Sequence, residues 1–398
     1  MATQITEHTR AQNLESRFQT GQILSIVSGH FIHDVYTAFV APLLPLIIEK
    51  LSLTLTAAGS LSAILQFPGL LNPLMGYLAD RAALRYFLIL APGATATLIS
   101  TLGFAPNYFT LALILFVTGL SSAAFHAPAP AVIAQVSGRQ VGLGMSLFMA
   151  GGELARTVGP LLAVWAVSTW TLDGFYRIVV LGWAGSLILF WRLRSVTFPA
   201  SQRSNLQKLA PALRSLFLPI LLITLFRNFM LDSLTTYLPV YMDLKGASLW
   251  VGGAALSLLE GAGVAGALLS GPLSDRVGRK PVLLGATLLA SLLLLLFLRV
   301  EGWLTIPVLL ALGFTNLSTT PVIMAVVQDQ FPENRSFANG VFMAITFLLR
   351  TGSILAVGAL GDLLGLQAAY FWSAIIALFS IPVILMLPGR PAAQPEQP

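Results

Sequence analysis

Two ten-residue stretches, GPLSDRVGRK at 271–280 and GYLADRAALR at 76–85, share the pattern Gly-x-Leu-x-Asp-Arg and lie 195 residues apart. A second pair of segments, FMAITFLLRT at 342–351 and FMAGGELART at 148–157, matches at an offset of 194. Two independent matches at nearly one offset indicate an internal duplication. The sequence therefore predicts two related halves of nearly 200 residues each.

The composition places these halves in a membrane. Of the 398 residues, 56% are hydrophobic and only 10% are charged, whereas soluble domains average about 25% charged residues. The apolar stretches are too long for barrel strands of about 10 residues and suit helices of about 20. We predict an all-α membrane protein with twelve spans in two six-helix repeats. The spans begin near Gln22, Ala57, Tyr86, Tyr108, Gly142, Phe175, Leu213, Trp250, Pro281, Leu304, Phe337 and Ala369.

The longest interior polar stretch divides the spans six and six. The predicted segments are a cytoplasmic tail at 1–20, a first bundle at 21–194, a cytoplasmic linker at 195–211, a second bundle at 212–388 and a disordered tail at 389–398. The first 20 residues mix acidic and basic side chains, and no short apolar region with a small-residue cleavage site follows. We therefore expect no cleaved signal peptide.

Basic residues predict the orientation. With both termini in the cytoplasm, fifteen of the 22 Lys and Arg residues fall on the cytoplasmic side, and only Lys50, Arg177, Lys245 and Arg299 fall outside. This asymmetry is typical of inner-membrane proteins. It also explains the net charge of +6 without nucleic acid as a partner.

The duplicated stretch carries a family resemblance. The residues at 271–280 resemble the signature between helices 8 and 9 of the major facilitator superfamily, and 76–85 resembles its partial copy, with Ala83 and Leu84 in place of Gly and Arg. In that superfamily the signature aspartate contacts a helix N-terminus and locks the cytoplasmic side. The alternative is simple solvation of a positive loop. The resemblance implies the gating residues Gly76, Asp80, Arg81, Gly271, Asp275, Arg276, Gly278 and Arg279.

A narrower resemblance is to the fosmidomycin-resistance group, which is similar to drug:proton antiporters. It rests on His33-Asp34 in helix 1, Phe125-His126 in helix 4, Ser137-Gly138, and Gly151-Gly152 with Gly159-Pro160 in helix 5. Two differences separate the chain from that group. His126-Ala127-Pro128 replaces the group's His-Pro-Glu, and Glu153 and Arg156 stand where the group has uncharged residues. The substrate therefore need not be fosmidomycin.

Ionisable side chains inside the spans indicate where the chemistry lies, because a charge at the bilayer centre costs roughly 2.5–3.5 kcal/mol. His30, His33 and Asp34 share one face of helix 1, and histidine titrates near neutral pH. A lone histidine in a span is usually a structural hydrogen-bonding group, but two beside an aspartate suit a proton relay. The candidate proton-coupling residues are Asp34, His33, His30, His126, Glu153 and Glu260.

Arginines in the spans are candidates for binding the substrate. Arg156 and Arg350 occupy matching repeat positions, and a guanidinium binds carboxylate or phosphonate groups with two hydrogen bonds. The alternative for Arg156 is an ion pair with Glu153, three residues earlier. Arg227 and Asp232, five residues apart, are not obvious partners of each other. The candidate substrate-binding residues are Arg156, Arg350, Arg227 and Asp232.

Together these features predict a proton-coupled efflux transporter for a small organic molecule, working as a monomer in a bacterial inner membrane. A proton-coupled uptake symporter for an organic anion is the main alternative, and a non-transporting receptor or scaffold is a remote one. No G-x-x-x-x-G-K-S/T loop occurs, which argues against ATP hydrolysis. No metal-ligand or nucleophile spacing stands out, so we expect no enzyme activity, cofactor or metal.

Overall fold

Helices make up all the regular structure in the described part of the chain. The computed structural model describes residues 18–72, 75, 84–138, 140–194, 210–330 and 335–387. Within these residues, eleven helical segments are long and apolar enough to cross a membrane, and Leu55–Leu71 is a shorter apolar helix. The predicted all-α membrane fold is confirmed. The helical elements, 3-10 turns included, begin within three residues of the predicted starts.

The first half contains eight α-helices within the described residues. They are α1 Thr20–Thr37, α2 Val40–Leu51, α3 Leu55–Gln66, α4 Leu84–Ser100, α5 Tyr108–His126, α6 Ala129–Val136, α7 Val141–Trp170 and α8 Val179–Leu193. Short 3-10 turns at Phe67–Leu71, Leu102–Phe104 and Asp173–Ile178 follow α3, α4 and α7.

The second half also contains eight α-helices within the described residues. They are α9 Ala210–Leu244, α10 Leu249–Val277, α11 Arg279–Phe297, α12 Thr305–Leu317, α13 Thr319–Gln330, α14 Arg335–Leu364, α15 Leu366–Leu378 and α16 Ser380–Met386. A 3-10 turn at Gly302–Leu304 precedes α12. The predicted linker at 195–211 and both terminal tails lie wholly or almost wholly outside the described residues.

Several predicted spans are interrupted rather than continuous. The fourth span breaks between α5 and α6, where Pro128 lacks an N–H and its ring prevents the helix from continuing. The first span breaks between α1 and α2 at Ala38, because Pro42 has no N–H to bond the Ala38 carbonyl. The Thr37 hydroxyl donates to the Asp34 carbonyl at 2.9 Å. The break therefore lies one turn beyond Asp34.

Packing divides the chain into two compact units. The first comprises Met1–Ser52, Ile64–Arg203 and Ala247–Ser257, and the second comprises Leu53–Ala63, Ser204–Gly246 and Leu258–Pro398. The predicted bundles divide the sequence once, at the linker. Packing instead places Leu53–Ala63 of the first half in the second unit and Ala247–Ser257 of the second half in the first unit. In each unit, the exchanged segment makes a specific contact with the rest of that unit.

In the second unit, the Asp362 carboxylate accepts hydrogen bonds from the N–H groups of Leu55 and Thr56, at 2.7 and 2.9 Å. A carboxylate at a helix N-terminus is favourable because the first N–H groups lack intrahelical partners. In the first unit, Gly253 lies close to the Val164 side chain.

Candidate functional site

Asp34 is the centre of a three-residue cluster in the first unit. It is 8% exposed, and its Oδ2 lies 3.1 Å from His30 Nε2, one helical turn earlier on α1. Its Oδ1 lies 3.3 Å from Nε2 of His126, the last residue of α5. The two Nε2 atoms are 3.2 Å apart. Two imidazoles and one carboxylate therefore converge on one point.

Backbone carbonyls fix the orientation of both imidazoles. His30 Nδ1 lies 2.8 Å from the Phe148 carbonyl oxygen, and His126 Nδ1 lies 2.9 Å from the Ser122 carbonyl oxygen. A carbonyl can only accept, so each Nδ1 carries the hydrogen. In the neutral form of each ring, Nε2 therefore presents a lone pair to the other ring and to Asp34.

Aromatic rings and a glycine form the walls of this cluster. The His30 ring stacks on Phe148, with centroids 4.0 Å apart. Gly152 on α7 faces the cluster, and a Cβ there would lie 2.7 Å from His30 Cε1 and 3.1 Å from Asp34 Oδ2. Only glycine therefore lets α7 approach α1 this closely.

His33 lies beside the cluster but not in it. Its ring stacks on Phe125, with centroids 4.7 Å apart, and its Nε2 is 3.9 Å from Asp34 Oδ1. Neither ring nitrogen has a hydrogen-bond partner among the described residues. The shared face of helix 1 thus contributes His30 and Asp34 to the cluster, while His33 packs in the core.

Glu153 and Arg156 form an ion pair along α7, as the spacing of three residues indicates. The Arg156 side chain is 43% exposed and that of Glu153 is 20% exposed. The structure thus shows the contact expected from the ion-pair interpretation.

Asp232 and Arg350 form a second ion pair, in the second unit. Asp232 on α9 is fully buried, and its Oδ1 accepts from Arg350 Nε on α14 at 2.9 Å. Its Oδ2 accepts from the Ser353 hydroxyl. The carboxylate therefore orients the guanidinium through its Nε, and the Arg350 side chain remains 27% exposed.

Arg227 lies in the interior of the second unit and does not contact Asp232. It is 4% exposed, and it donates to the Thr287 hydroxyl and, from Nη2, to the Asn316 carbonyl at 3.1 Å. That carbonyl belongs to the C-terminal turn of α12. A cation there is stabilised by the negative end of the helix dipole, which gives Arg227 a structural role at the break between α12 and α13.

Glu260 lies on the glycine-rich part of α10 and is 6% exposed. Nearby on the same helix, Gly263 contacts the Leu317 side chain and Gly266 contacts the Phe314 backbone of α12. The close helix packing expected from these glycines is confirmed at both positions.

Comparison with known proteins identifies the family. The sequence profile described as Major Facilitator Superfamily matches residues 26–270 and 261–398. The chain belongs to the Major Facilitator Superfamily. It is therefore a multi-pass membrane protein of a transporter family, as the duplicated stretch predicted.

Two relatives named as resistance proteins match over nearly the whole chain. The fosmidomycin resistance protein of Escherichia coli (strain K12) is 25% identical over 392 residues, covering 96% of each chain. The multidrug resistance protein MdtG of Klebsiella pneumoniae (strain 342) is 24% identical, covering 93% of this chain and 94% of that protein.

Solved transporters share the superfamily fold. A bacterial homologue of the human lysosomal transporter Spinster, in an inward-facing and occupied conformation, gives a TM-score of 0.81 at 13% identity and covers 93% of this chain and 97% of its own. A D-xylose-proton symporter gives 0.76 at 14% identity, with 93% and 98% covered. At these identities the likeness concerns the fold alone.

The superfamily signature is visible in its second copy. Asp275 Oδ1 accepts from Arg279 Nη1 at 2.6 Å, and Arg279 Nε donates to Asp329 Oδ2 at 3.1 Å. Gly278, at φ +101°, makes the turn between α10 and α11, while Arg276 is exposed. No described atom lies within 4 Å of a Cβ built on Gly271, so that glycine is not a close-packing position. Gly76, Asp80 and Arg81 of the first copy lie outside the described residues.

Some residues around these sites were not predicted from sequence. Ser353 was missed although it lies three residues after Arg350, on the same helix face. The carbonyls of Ser122 and Phe148 have no sequence signal, because any residue supplies a carbonyl. Gly152 was noted only as part of the group resemblance, and the packing of its missing side chain against Asp34 was not foreseen.

Proposed function

We propose that this protein is a proton-coupled efflux transporter, an antiporter that exports a small organic molecule by alternating access. We further propose that it works as a monomer in a bacterial inner membrane with both termini in the cytoplasm. The superfamily membership and the names of the two full-length relatives support export of a drug-like compound. Fold alone does not fix direction, because the D-xylose-proton symporter has the same fold.

The cluster of Asp34, His30 and His126 is the observation that carries the proton-coupling proposal. With both rings neutral, two Nε2 lone pairs and a carboxylate would face one another at 3.1–3.3 Å, with no hydrogen between the two rings. Such an arrangement is repulsive unless a cation occupies it. A single proton shared by the cluster reduces the repulsion and supplies a hydrogen bond between its members.

Proton loading couples to transport if it favours one conformation over the other. Asp34 lies one turn before the break between α1 and α2, and His126 is the last residue before the break at Pro128. We place the coupling proton at this junction because a charge change here acts on two interrupted spans at once. Interrupted helices at mid-membrane are a common feature of transporter sites.

We place substrate contacts at the two partly exposed arginines, Arg350 and Arg156. Each is paired with an acidic residue, so an anionic substrate would bind by sharing or displacing that carboxylate. Asp232 contributes by orienting Arg350. The burial of Arg227 and its hydrogen bond to α12 support a place in the scaffold in preference to direct contact with the substrate.

The test uses a bacterial host that lacks its own efflux pumps and a panel of toxic compounds that includes fosmidomycin. The compared proteins are the wild type, Asp34→Asn and Asp173→Asn. Asp173 is the matched control, because it undergoes the same chemical change at a side chain that is 79% exposed. We expect the wild type and Asp173→Asn to protect growth and Asp34→Asn to lose protection at equal membrane levels.

Transport in vesicles extends this test to the driving force. An imposed proton gradient should drive substrate movement by the wild type and not by Asp34→Asn. Full gradient-driven transport by Asp34→Asn would overturn the assignment of the proton to this cluster. Accumulation of labelled organic anions, in place of protection, would instead establish the uptake symporter.

A further inference from the structure

The same cluster has the geometry of a transition-metal site. His30 Nε2, His126 Nε2 and the Asp34 carboxylate all lie within 4.8 Å of one another, with closest separations of 3.1, 3.2 and 3.3 Å. A tetrahedral Zn²⁺ with bonds of about 2.0–2.1 Å holds its ligand atoms about 3.3 Å apart. The two nitrogens are therefore already spaced as one edge of such a coordination sphere. Each also has an Asp34 oxygen at a similar distance, Oδ2 for His30 and Oδ1 for His126.

The contacts behind the ligands also match those of metal sites. A histidine that binds a metal almost always donates its other ring N–H to a carbonyl or carboxylate, which fixes its tautomer. His30 and His126 each direct Nδ1 to a backbone carbonyl, from Phe148 and Ser122. Both Nε2 atoms are thereby available as ligands without any change of tautomer.

The types of ligand indicate which metals the cluster can bind. Two imidazole nitrogens and one carboxylate suit Zn²⁺ and its first-row neighbours, whereas Mg²⁺ and Ca²⁺ prefer oxygen ligands. The His30 and Asp34 side chains are 5% and 11% exposed, while that of His126 is 32% exposed. His126 is therefore the most exposed of the three ligands.

We propose that His30, Asp34 and His126 form a binding site for Zn²⁺ or a similar divalent transition metal. The metal occupies the position of the shared proton and links α1 to α5 through one ion. Binding itself does not depend on the transport function. Its consequence, inhibition of transport by Zn²⁺, rests on the proposed function, because only then does the metal displace the coupling proton.

The sequence did not predict this site because its ligands come from two helices. His30 and Asp34 have the i, i+4 spacing of a helical metal-ligand pair, but the third ligand lies 92 residues further on. The chain contains no cysteine, so any zinc site in it must use histidine, carboxylate and water.

The direct test measures Co²⁺ and Zn²⁺ binding to the purified full-length protein, prepared without a polyhistidine tag. Four-coordinate Co²⁺ gives visible absorption bands that report its ligand geometry, and Zn²⁺ should displace it with a stoichiometry of one. His126→Gln removes one ligand, and His33→Gln is the matched control, since His33 lies beside the cluster but outside it. We expect His126→Gln to weaken binding by more than about 100-fold and His33→Gln to leave it unchanged.

The unfolding temperature provides a second measurement, which also applies to variants that fold poorly. Zn²⁺ should raise the unfolding temperature of the wild type and of His33→Gln, because a ligand bound only to the native state stabilises it. It should not raise that of His126→Gln or Asp34→Asn. Absence of a Co²⁺ spectrum in the wild type, or a spectrum unaffected by His126→Gln, would overturn the metal site.

Transport in the presence of Zn²⁺ separates the two proposals. Inhibition of the wild type supports both the metal site and the coupling role of the cluster. Metal binding at these ligands without inhibition supports the metal site and contradicts the placement of the coupling proton there.

Discussion

At the scale of single residues, the buried charged side chains of Asp34, Asp232 and Arg227 each contact an ionisable partner or a helix end. Asp232 and Arg350 form such a pair with unequal burial, because the carboxylate is fully buried and the arginine side chain is 27% exposed. Removing either partner leaves a charge without its counter-charge in a low-dielectric interior, which costs more than the pair itself contributes. The cost should depend on how buried the remaining charge is.

We therefore predict an order of stability among three variants. Arg350→Gln strands the buried carboxylate and should destabilise the protein by about 3 kcal/mol, whereas Asp232→Asn strands the more exposed guanidinium and should cost about half as much. The double variant should be less destabilised than the sum of the two. Thermal unfolding of the purified variants in one detergent checks this order. Additive losses would show that the two residues do not interact energetically.

Sequence reasoning found nearly all the residues discussed here, but not all their partners. Glu153 and Arg156 were paired correctly because three residues on one helix fix their proximity. Asp232 and Arg350 could not be paired, since they lie 118 residues apart and their contact depends on how α9 crosses α14. His126 was named only as a possible partner of Asp34, for the same reason.

At the scale of helices, glycines set how closely neighbouring elements approach. α1 and α7 approach at Gly152, where an added methyl group would contact both His30 and Asp34. Gly142 on the same helix has no described atom within 4 Å of the corresponding position. A glycine-to-alanine substitution can therefore be compared at two positions of α7, with packed side chains beside Gly152 and none described beside Gly142.

We predict that Gly152→Ala loses proton-driven transport, while Gly142→Ala keeps it. The first variant must displace His30 or Asp34, and the second gains helix propensity of up to about 1 kcal/mol without a clash. Transport assays on both variants at matched membrane levels provide the measurement. Wild-type transport by Gly152→Ala would mean that the cluster tolerates displacement, which is incompatible with a shared proton at this spacing.

Helix existence was predictable from hydropathy, but the breaks within spans were only partly so. The break at Pro128 follows from proline's missing donor, yet it was not predicted because the apolar run continues on both sides. The break between α12 and α13, near Ser318, lies just before Pro321, which has no N–H for the carbonyl four residues earlier and whose ring clashes with it. Arg227 binds the Asn316 carbonyl beside this break, and that tertiary contact is not readable from local sequence.

At the scale of the whole molecule, the distribution of basic residues predicts how the chain lies in the membrane. The four basic residues predicted to lie outside, Lys50, Arg177, Lys245 and Arg299, stand in or beside loops, and Lys50 contacts Asp173 at 3.3 Å. The other basic residues outside the spans lie on the opposite side of the predicted topology. Since the cytoplasmic side retains excess Lys and Arg, one orientation is strongly favoured.

Because the chain has no cysteine, single cysteines can report this orientation without background. We predict that a membrane-impermeant thiol reagent labels Glu301→Cys in intact cells and labels Gln140→Cys only after the membrane is opened. Both positions are exposed and lie at opposite ends of the predicted spans. Labelling of Gln140→Cys in intact cells, with Glu301→Cys protected, would invert the topology. It would place the basic loops outside and remove the electrostatic argument for cytoplasmic termini, while leaving the two repeats and the Asp34 cluster unaffected.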